Sequence, residues 1–510
     1  VIEIAMEYTS ALLLNNRKPN GNGNVKNRQS YKLETTPIFQ TGHAPIFYPP
    51  GIWIKNHLVD FLAKNYNGIG INVVMDNDTP AEAFVQFPNL TTEHASIKSI
   101  KGIDIQKGLA FEEINGRSSS KTNPDIKALY YEINDKCIPA INDSMAKETI
   151  RKYIDLLNES LKLTDNLGES LTFARRRFEV DYGLRNLEIP ISKICEIDGF
   201  LIFFLALASE SNRFANVCNS KLEKYRKENN IRSNANPLPN LKVNEDMVEL
   251  PFWIWKENSF RKKVYARKAG KDHLDILLEN SEFSNLPKTN KNKTEGVIHF
   301  QTIKIDDFKE NLQTLKDMSN AGFKIRPKAL ANTIFSRLFF ADVFVHGIGG
   351  AKYDIVTNGI IEDFFCVSPP DYVAVSATLF PPVAKFDVDN NSLQKVEDEL
   401  KQMEHNPDKY LPEEQLKDKI IKGLILEKKR LIEDNPKVGN DSRGKFLRLK
   451  EINVELSKHI KHKFTEKESE LHILKNKLNY NTVINNRNYP IFIYPEEFLK
   501  KFYKNAFPLE

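Results

Sequence analysis

Three short stretches carry side chains whose types and spacing suit chemistry. At 346–350 the sequence reads HGIGG, a histidine followed by glycines at 347, 349 and 350, so the backbone there can turn sharply and approach a ligand closely. Lys352 follows, on what the pattern predicts to be the first turn of a helix, where a cation opposes the helix dipole unless an anion sits nearby. Gly42-His43 is the second stretch, set between a strand-like piece and a helical segment whose free N–H groups favour an anion. The third is Asp76-Asn77-Asp78, where a carboxylate at a strand end can bind a hydroxyl, an amine or a metal ion. Plainer roles compete with each. Glycines also make ligand-free turns, histidines cap turns and end strands, and aspartates form turns such as the one before Pro80.

The elements that must position these residues are two strand–helix–strand units. Residues 341–345 (ADVFV) form a short apolar run of the covered-strand type. The glycine loop follows it. Next come a helical segment with Ile355, Ile360, Ile361, Phe364 and Phe365 near helical spacing, and a strand at 372–377 after Pro369-Pro370. The earlier unit runs from a strand at 38–41 (IFQT) through a helix with Trp53, His57, Leu58, Phe61 and Leu62 on one face to a strand at 69–75 (IGINVVM). Its length suits a right-handed crossover. Parallel strands would bring His43 and the Asp76/Asp78 pair to one edge of a sheet, and ligands bind at the carboxyl ends of such strands. The glycine pattern is not G-x-G-x-x-G and lacks the Gly-Lys-Ser/Thr ending of a P-loop, so no standard nucleotide motif is present.

A chain of 510 residues predicts two or three domains, and 41% hydrophobic with 28% charged residues predicts a globular one. A net charge of +5 on this length does not imply nucleic acid. The cysteines at 137, 195, 218 and 366 are scattered, which argues against a zinc site or disulfide framework and for a reducing compartment. The longest strongly apolar run, 200–208, falls far short of the ~20 residues of a membrane span. With no signal-peptide pattern, the expected location is cytoplasmic, with no membrane partner.

Between about 82 and 322 the periodicities mix. Residues 146–165 predict an amphipathic helix, 175–177 a solvated basic triplet, and 198–227 one long helix with an apolar first half. PFWIW at 251–255 and RKKVYAR at 261–267 predict a β-hairpin, whose Trp253, Trp255, Arg261 and Arg267 are candidates to line a pocket. Surface loops are expected at 19–24 and 281–294. Beyond residue 386, Leu393, Val396, Leu400 and Met403, and then Leu449, Ile452, Leu456, Ile460 and Phe464, recur at helical seam spacing around a break at Asn435-Pro436. They predict a coiled-coil hairpin, folded back over 393–474. His459 and His462 within it lack companions that would make them metal ligands. The tail from 488 predicts a strand-like piece and a short helix.

Three pieces of this chain resemble the cysteine-adding enzymes (cysteine ligases) of bacillithiol biosynthesis. TGHAPIFYPPGIWIKNHLVDFLAK at 41–64 is similar to that family's T-G-(H/Q)-Q segment, with Gly42, His43, Gly51 and Lys55 in comparable places. VVMDNDTPAE at 73–82 resembles its strand ending in E-D-H-D, reduced here to Asp76-Asn77-Asp78 without the histidine. Within 325–379, Arg326-Pro327, the glycine loop and the closing VAVSATL resemble its R-P, G-G-P-G-E and P-R-x-S-x-T pieces, although Lys352 and Asp354 stand where Pro-Gly-Glu would end the loop. About a third of the chain is covered, in the family's order.

The resemblance implies an α/β fold. A Rossmann-like, mainly parallel sheet core would be formed by 1–101 and 323–385, with an inserted α+β region at 102–322. A C-terminal helical coiled-coil arm at 386–475 would support a homodimer, and a tail at 476–510 would dock on the core. The activity implied is ligase-like: an amino acid, cysteine in that family, joined through an activated carboxylate to an amino sugar or other small amine. Such chemistry needs an acyl-phosphate or acyl-adenylate, hence ATP and Mg²⁺, with no protein-bound metal expected. Catalytic candidates are His43 as proton acceptor, Asp76 for the amine, ribose or Mg²⁺, and Lys352 against developing charge. Binding candidates are Gly42, Lys55, Asp78, Arg326, His346, Gly347, Gly349, Gly350 and Asp354. Two alternatives stand beside this: a non-catalytic small-molecule-binding scaffold using the arm for interactions, and a transferase using a nucleotide-sugar donor.

Overall fold

β1 (Ile38–His43) and β2 (Ile69–Val74) pair in parallel, from Ile38 opposite Ile69 to His43 opposite Val74. Every residue of β2 is buried, as its almost unbroken apolar sequence requires of a central parallel strand. β3 (Ala83–Leu90) and β4 (Ala95–Lys101) form a separate two-stranded sheet. β5 (Leu187–Pro190) adds to the far side of β2, and β11 (Val343–His346) and β12 (Tyr372–Ala374) add beyond β1. The result is a five-stranded parallel sheet in the order β12-β11-β1-β2-β5. The computed structural model describes residues 1–14, 35–80, 83–90, 94–101, 108–115, 126–280, 297–433 and 442–508. The loops expected at 19–24 and 281–294 and the break at 435–436 lie outside them.

A second sheet, antiparallel, contains β6 (Val248–Lys256), β7 (Lys262–Lys268), β8 (His273–Glu279), β9 (Val297–Lys304) and β10 (Phe323–Pro327) in the order β10-β6-β7-β8-β9. The β6–β7 hairpin is the one expected at 251–267. Arg326 therefore stands on a strand of the antiparallel sheet, paired opposite Trp253, and not on the parallel one. The two sheets share a single apolar core: Ile71, Val73 and Ile189 from one, Leu250, Val264 and Ile276 from the other, with Phe200, Phe203 and Phe204 among them. Burying each such phenylalanine contributes about 1.5–3 kcal/mol, enough to hold the edge of one sheet in fixed relation to the other.

The helices correct three expectations. The segment 198–227 is two helices, Asp198–Ser209 and Ser211–Glu228, meeting at Glu210. The triplet at 175–177 is not a solvated face, because Arg175 and Arg176 are buried. Arg175 is locked between Glu179 (2.8 Å) and Glu188 (2.7 Å). The strand-like piece of the tail is a 3₁₀ turn, Ile491–Ile493, and its buried side chains pack with those of Phe47 and Tyr153.

The chain divides into two compact units. One comprises Val1–Phe87, Ser99–Leu379 and Arg487–Glu510 and holds the parallel and antiparallel sheets. The other comprises Pro88–Lys98 and Phe380–Asn486 and is largely helical. In it the helix Asn390–His405 packs on Lys461–Ile484, and Lys419–Glu433 packs on Ser442–Ser457. Met403, Leu411, Ile421, Ile452, Leu456 and Ile460 form its core. No helix among the described residues is long and apolar enough to cross a membrane.

Candidate functional site

Three helices begin at one cavity of about 910 Å³ beside the carboxyl ends of β1, β2 and β11. The helix Pro50–Asn65 starts after Pro49, Ala329–Phe339 after Lys328, and Ile348–Ile360 after Gly347. None has a side-chain cap or an acidic residue in its first turn. Four other helices are capped, with Asp143, Asn166, Asp307 and Asp389 each accepting a backbone N–H at the helix start, while Ser211–Glu228 and Lys461–Ile484 also begin without a side-chain cap. The positive dipole ends of these three helices at the cavity would favour an anion there.

The side chains agree with the backbone. Lys55, Arg261, Lys328, Lys352 and Arg487 line the cavity, and Asp78 is the one carboxylate among the described lining residues. Arg261 lies over the Trp253 ring at 5.0 Å and Lys328 over the same ring at 4.7 Å, so one indole steadies two cations. Arg261 also donates to the Asn77 carbonyl (2.8 Å) and stands 3.7 Å from Asp78, while Lys328 pairs with Glu249 at 2.6 Å. Lys352 and Arg487 are exposed and have no ion-pair partner among the described residues.

The glycine loop is shaped for close approach. A Cβ at Gly347 or Gly349 would meet nothing within 4 Å, so both face open space. At Gly350 it would lie 2.6 Å from His346 Nδ1, so glycine is what admits the ring. His346 Nε2 is 2.9 Å from Asp354 Oδ2, which also accepts from Arg337 at 2.8 Å. A carboxylate already bound to Arg337 acts as acceptor, so His346 donates to it through Nε2 and turns Nδ1 towards the helix start.

His43 is the last residue of β1, and its ring lies edge-on to Tyr48. Burial first, and the Lys55 cation second, push its pKa down to about 3, so it is neutral and a weak base. Gly42 has no room for a side chain, since a Cβ would sit 2.9 Å from the Val73 carbonyl. The Gly42 carbonyl accepts from Lys55 Nζ at 2.8 Å. Lys55 is buried, and burial, reinforced by the Arg175 cation, lowers its pKa to about 7.

Gly42, His43, Lys55, Asp78, His346, Gly347, Gly349, Gly350 and Lys352 thus border one cavity. Asp76, Arg326 and Asp354 are not among its lining residues. Asp76 turns away to cap the short helix Ile191–Ile194, accepting from Ser192 N (3.0 Å) and Oγ (2.5 Å). Burial, and then the nearby Glu112, raise its pKa to about 7, which does not suit a standing ligand for an amine or Mg²⁺. Arg326 is spent on a two-point pair with Glu112, both contacts 2.9 Å. Asp354 acts behind His346, and Lys352 is the fifth residue of its helix, one turn later than expected.

Of the hairpin candidates, Trp253 and Arg261 reach the cavity. Trp255 is buried and donates to Glu113 (2.7 Å), and Arg267 pairs with Asp275 (2.9 Å). Sequence reasoning missed Lys328, Asn332, Thr333 and Arg487. Lys328 had a usable signal, since Arg326-Pro327 breaks the strand and a helix start follows. Arg487 had none, because the segment that carries it, with Asn488, is more than a hundred positions from the rest of the lining residues.

No protein-family model matches this chain, and no curated protein matches it in sequence. Among the described residues no group of three or more His, Cys, Asp or Glu side chains is placed to hold a metal ion. None of the cysteines lines the cavity: three are buried, and Cys366 is exposed elsewhere.

Proposed function

We propose that this protein is an enzyme of small-molecule metabolism that binds a phosphate-bearing ligand in the cavity and forms an amide through an activated carboxylate. The observation that carries the binding half is the convergence of three helix starts without side-chain caps with four cationic side chains, Arg261, Lys328, Lys352 and Arg487, against one carboxylate among the described lining residues. Such a wall favours polyphosphate by charge and by directed N–H groups together. The reaction half rests on the resemblance to the cysteine-adding ligases of bacillithiol biosynthesis: an amino acid activated as acyl-phosphate or acyl-adenylate and joined to an amino sugar or similar amine. The Gly347–Ile348 turn would hold the phosphates, with Lys352 offsetting charge on the leaving group. Mg²⁺ would arrive on ATP, held mainly by phosphate oxygens, with Asp78 the carboxylate at hand. The same reading makes the sheet Rossmann-like, the helical unit a coiled-coil arm for a homodimer, and the location cytoplasmic.

A thermal-shift series tests the binding half. Pyrophosphate, ADP and ATP are expected to raise the melting midpoint and adenosine to leave it unchanged, since a ligand at 100 times its Kd stabilises by about 2.7 kcal/mol. Equal shifts with adenosine, or none with any phosphate compound, would overturn it.

A further inference from the structure

We infer that Lys55 is the proton acceptor of the cavity, the group that takes the proton released when a substrate amine attacks the activated carboxylate. This rests on the acyl-transfer reading above and gives that site its base. The amine of Lys55 is buried at the cavity wall, and the acceptor it has is a backbone carbonyl, Gly42 O at 2.8 Å. Among the described residues no carboxylate pairs with it. The charged and titratable groups that act on it are cationic or neutral: His43 from β1, and Arg175 from the helix Leu167–Val180, itself held by Glu179 and Glu188. The other cavity cations differ. Lys328 has Glu249, Arg261 has Asp78, and Lys352 is exposed to water. Lys55 is thus the amine least favoured to keep its proton, and its pKa of about 7 says the same.

The step balances. The substrate nitrogen forms its bond to the acyl carbon, and the bond from that carbon to the phosphate or adenylate oxygen breaks, the oxygen keeping the electron pair. The N–H proton passes to the Nζ lone pair, and the resulting ammonium stays against Gly42 O until it returns the proton to water. His43, with its pKa pushed down to about 3, is too weak a base to compete.

The test is affinity labelling of the full chain with pyridoxal 5′-phosphate, an aldehyde that carries a phosphate, followed by borohydride reduction and peptide mapping. An unprotonated amine condenses with the aldehyde. At pH 7.5 an amine of pKa about 7 is roughly three-quarters free, against about 0.1% for an ordinary lysine. The expected result is a reduced adduct on Lys55 forming at least ~10-fold faster than on any exposed lysine, with a rate that levels off above about pH 7. Pyridoxal without the phosphate should label it ~10-fold more slowly, and pyrophosphate should protect it. Adducts spread over exposed lysines, with Lys55 unlabelled or its rate still climbing at pH 9, would overturn the assignment. Fast labelling by both aldehydes with no protection would uphold the free amine and remove the phosphate-binding reading instead.

Discussion

Two polar regions flank the central strands of the parallel sheet, and they are built on opposite rules. Behind β2 and β5, Arg175, Glu179, Glu188, Asn72, Asn56 and Trp53 form a buried network: Arg175 bridges both carboxylates, Asn72 donates to Glu188 (2.8 Å), and Trp53 and Asn56 donate to Glu179 (2.8 Å each). Its two carboxylates face two buried arginines, since Arg176 acts on both as well. At the carboxyl edge the cavity gathers helix N-termini without caps, two cations without ion-pair partners and a lysine held by a carbonyl. Both regions hold charge where sequence alone shows only charged letters. A region whose charges are matched internally holds the fold together, whereas one that leaves cations unpaired among the described residues is where an anionic ligand would be favoured.

The largest effect expected from breaking this contrast is Arg175→Met. It strands Glu179 and Glu188 in the core, and removing one partner of a buried ion cluster costs about 3–5 kcal/mol. Chemical denaturation should show that loss. A loss under 1 kcal/mol would mean that water reaches the network.

Next in size is the pH response of Lys55. Folding lowers its pKa from 10.5 to about 7, so between those values the unfolded chain holds a proton that the folded chain lacks. Unfolding then takes up a proton, and stability rises with pH across that window by up to about 1.4 kcal/mol per unit. The stability of the native chain minus that of Lys55→Met should therefore climb from pH 7 towards 10. A flat difference would place Lys55 in contact with water.

Gly349→Ala sharpens the comparison from the cavity side. The added methyl meets nothing in the protein and replaces a helical glycine, so stability should rise by a few tenths to about 1 kcal/mol. The same methyl projects into the space for the ligand, and the shift produced by pyrophosphate should shrink. An unchanged shift would place the phosphate away from this loop.

The smallest stability effect belongs to Lys352→Ala with Arg487→Ala, which should stay within about 0.5 kcal/mol because both side chains are exposed and neither has an ion-pair partner among the described residues. Pyrophosphate affinity, read by calorimetry, should nevertheless fall by ~10-fold or more, and the salt dependence of binding should weaken. Unaltered affinity would leave Lys328 and Arg261 as the anion contacts.

Much of the site was legible in the chain because strands and tight turns are written locally. The runs at 38–43, 69–75 and 341–346 are apolar and end in glycine, histidine or aspartate, and those endings are where the sheet edge falls. Asp76 is the expected catalytic carboxylate and Asp78 a binding one, but of the two only Asp78 lines the cavity. Asp76 is held instead by Ser192, a residue more than a hundred positions away. Arg326 looked like a ligand too, and its charge is consumed by Glu112, which nothing near it in sequence announces.

By itself, then, the sequence determined the local elements: the β–Gly-loop–α unit, the β6–β7 hairpin, the helical character after residue 390, and the absence of long apolar spans. Those depend on neighbours within a few residues, where propensity, periodicity and turn chemistry act. Tertiary structure alone decided which charges are paired. It also joined β5 from the middle of the chain to the parallel sheet and brought Arg487 from the tail to the cavity. Pairing and desolvation are properties of contacts between distant segments. The same lysine is an ordinary surface cation or, like Lys55 beneath Gly42, a buried amine near neutrality, according to what folds over it.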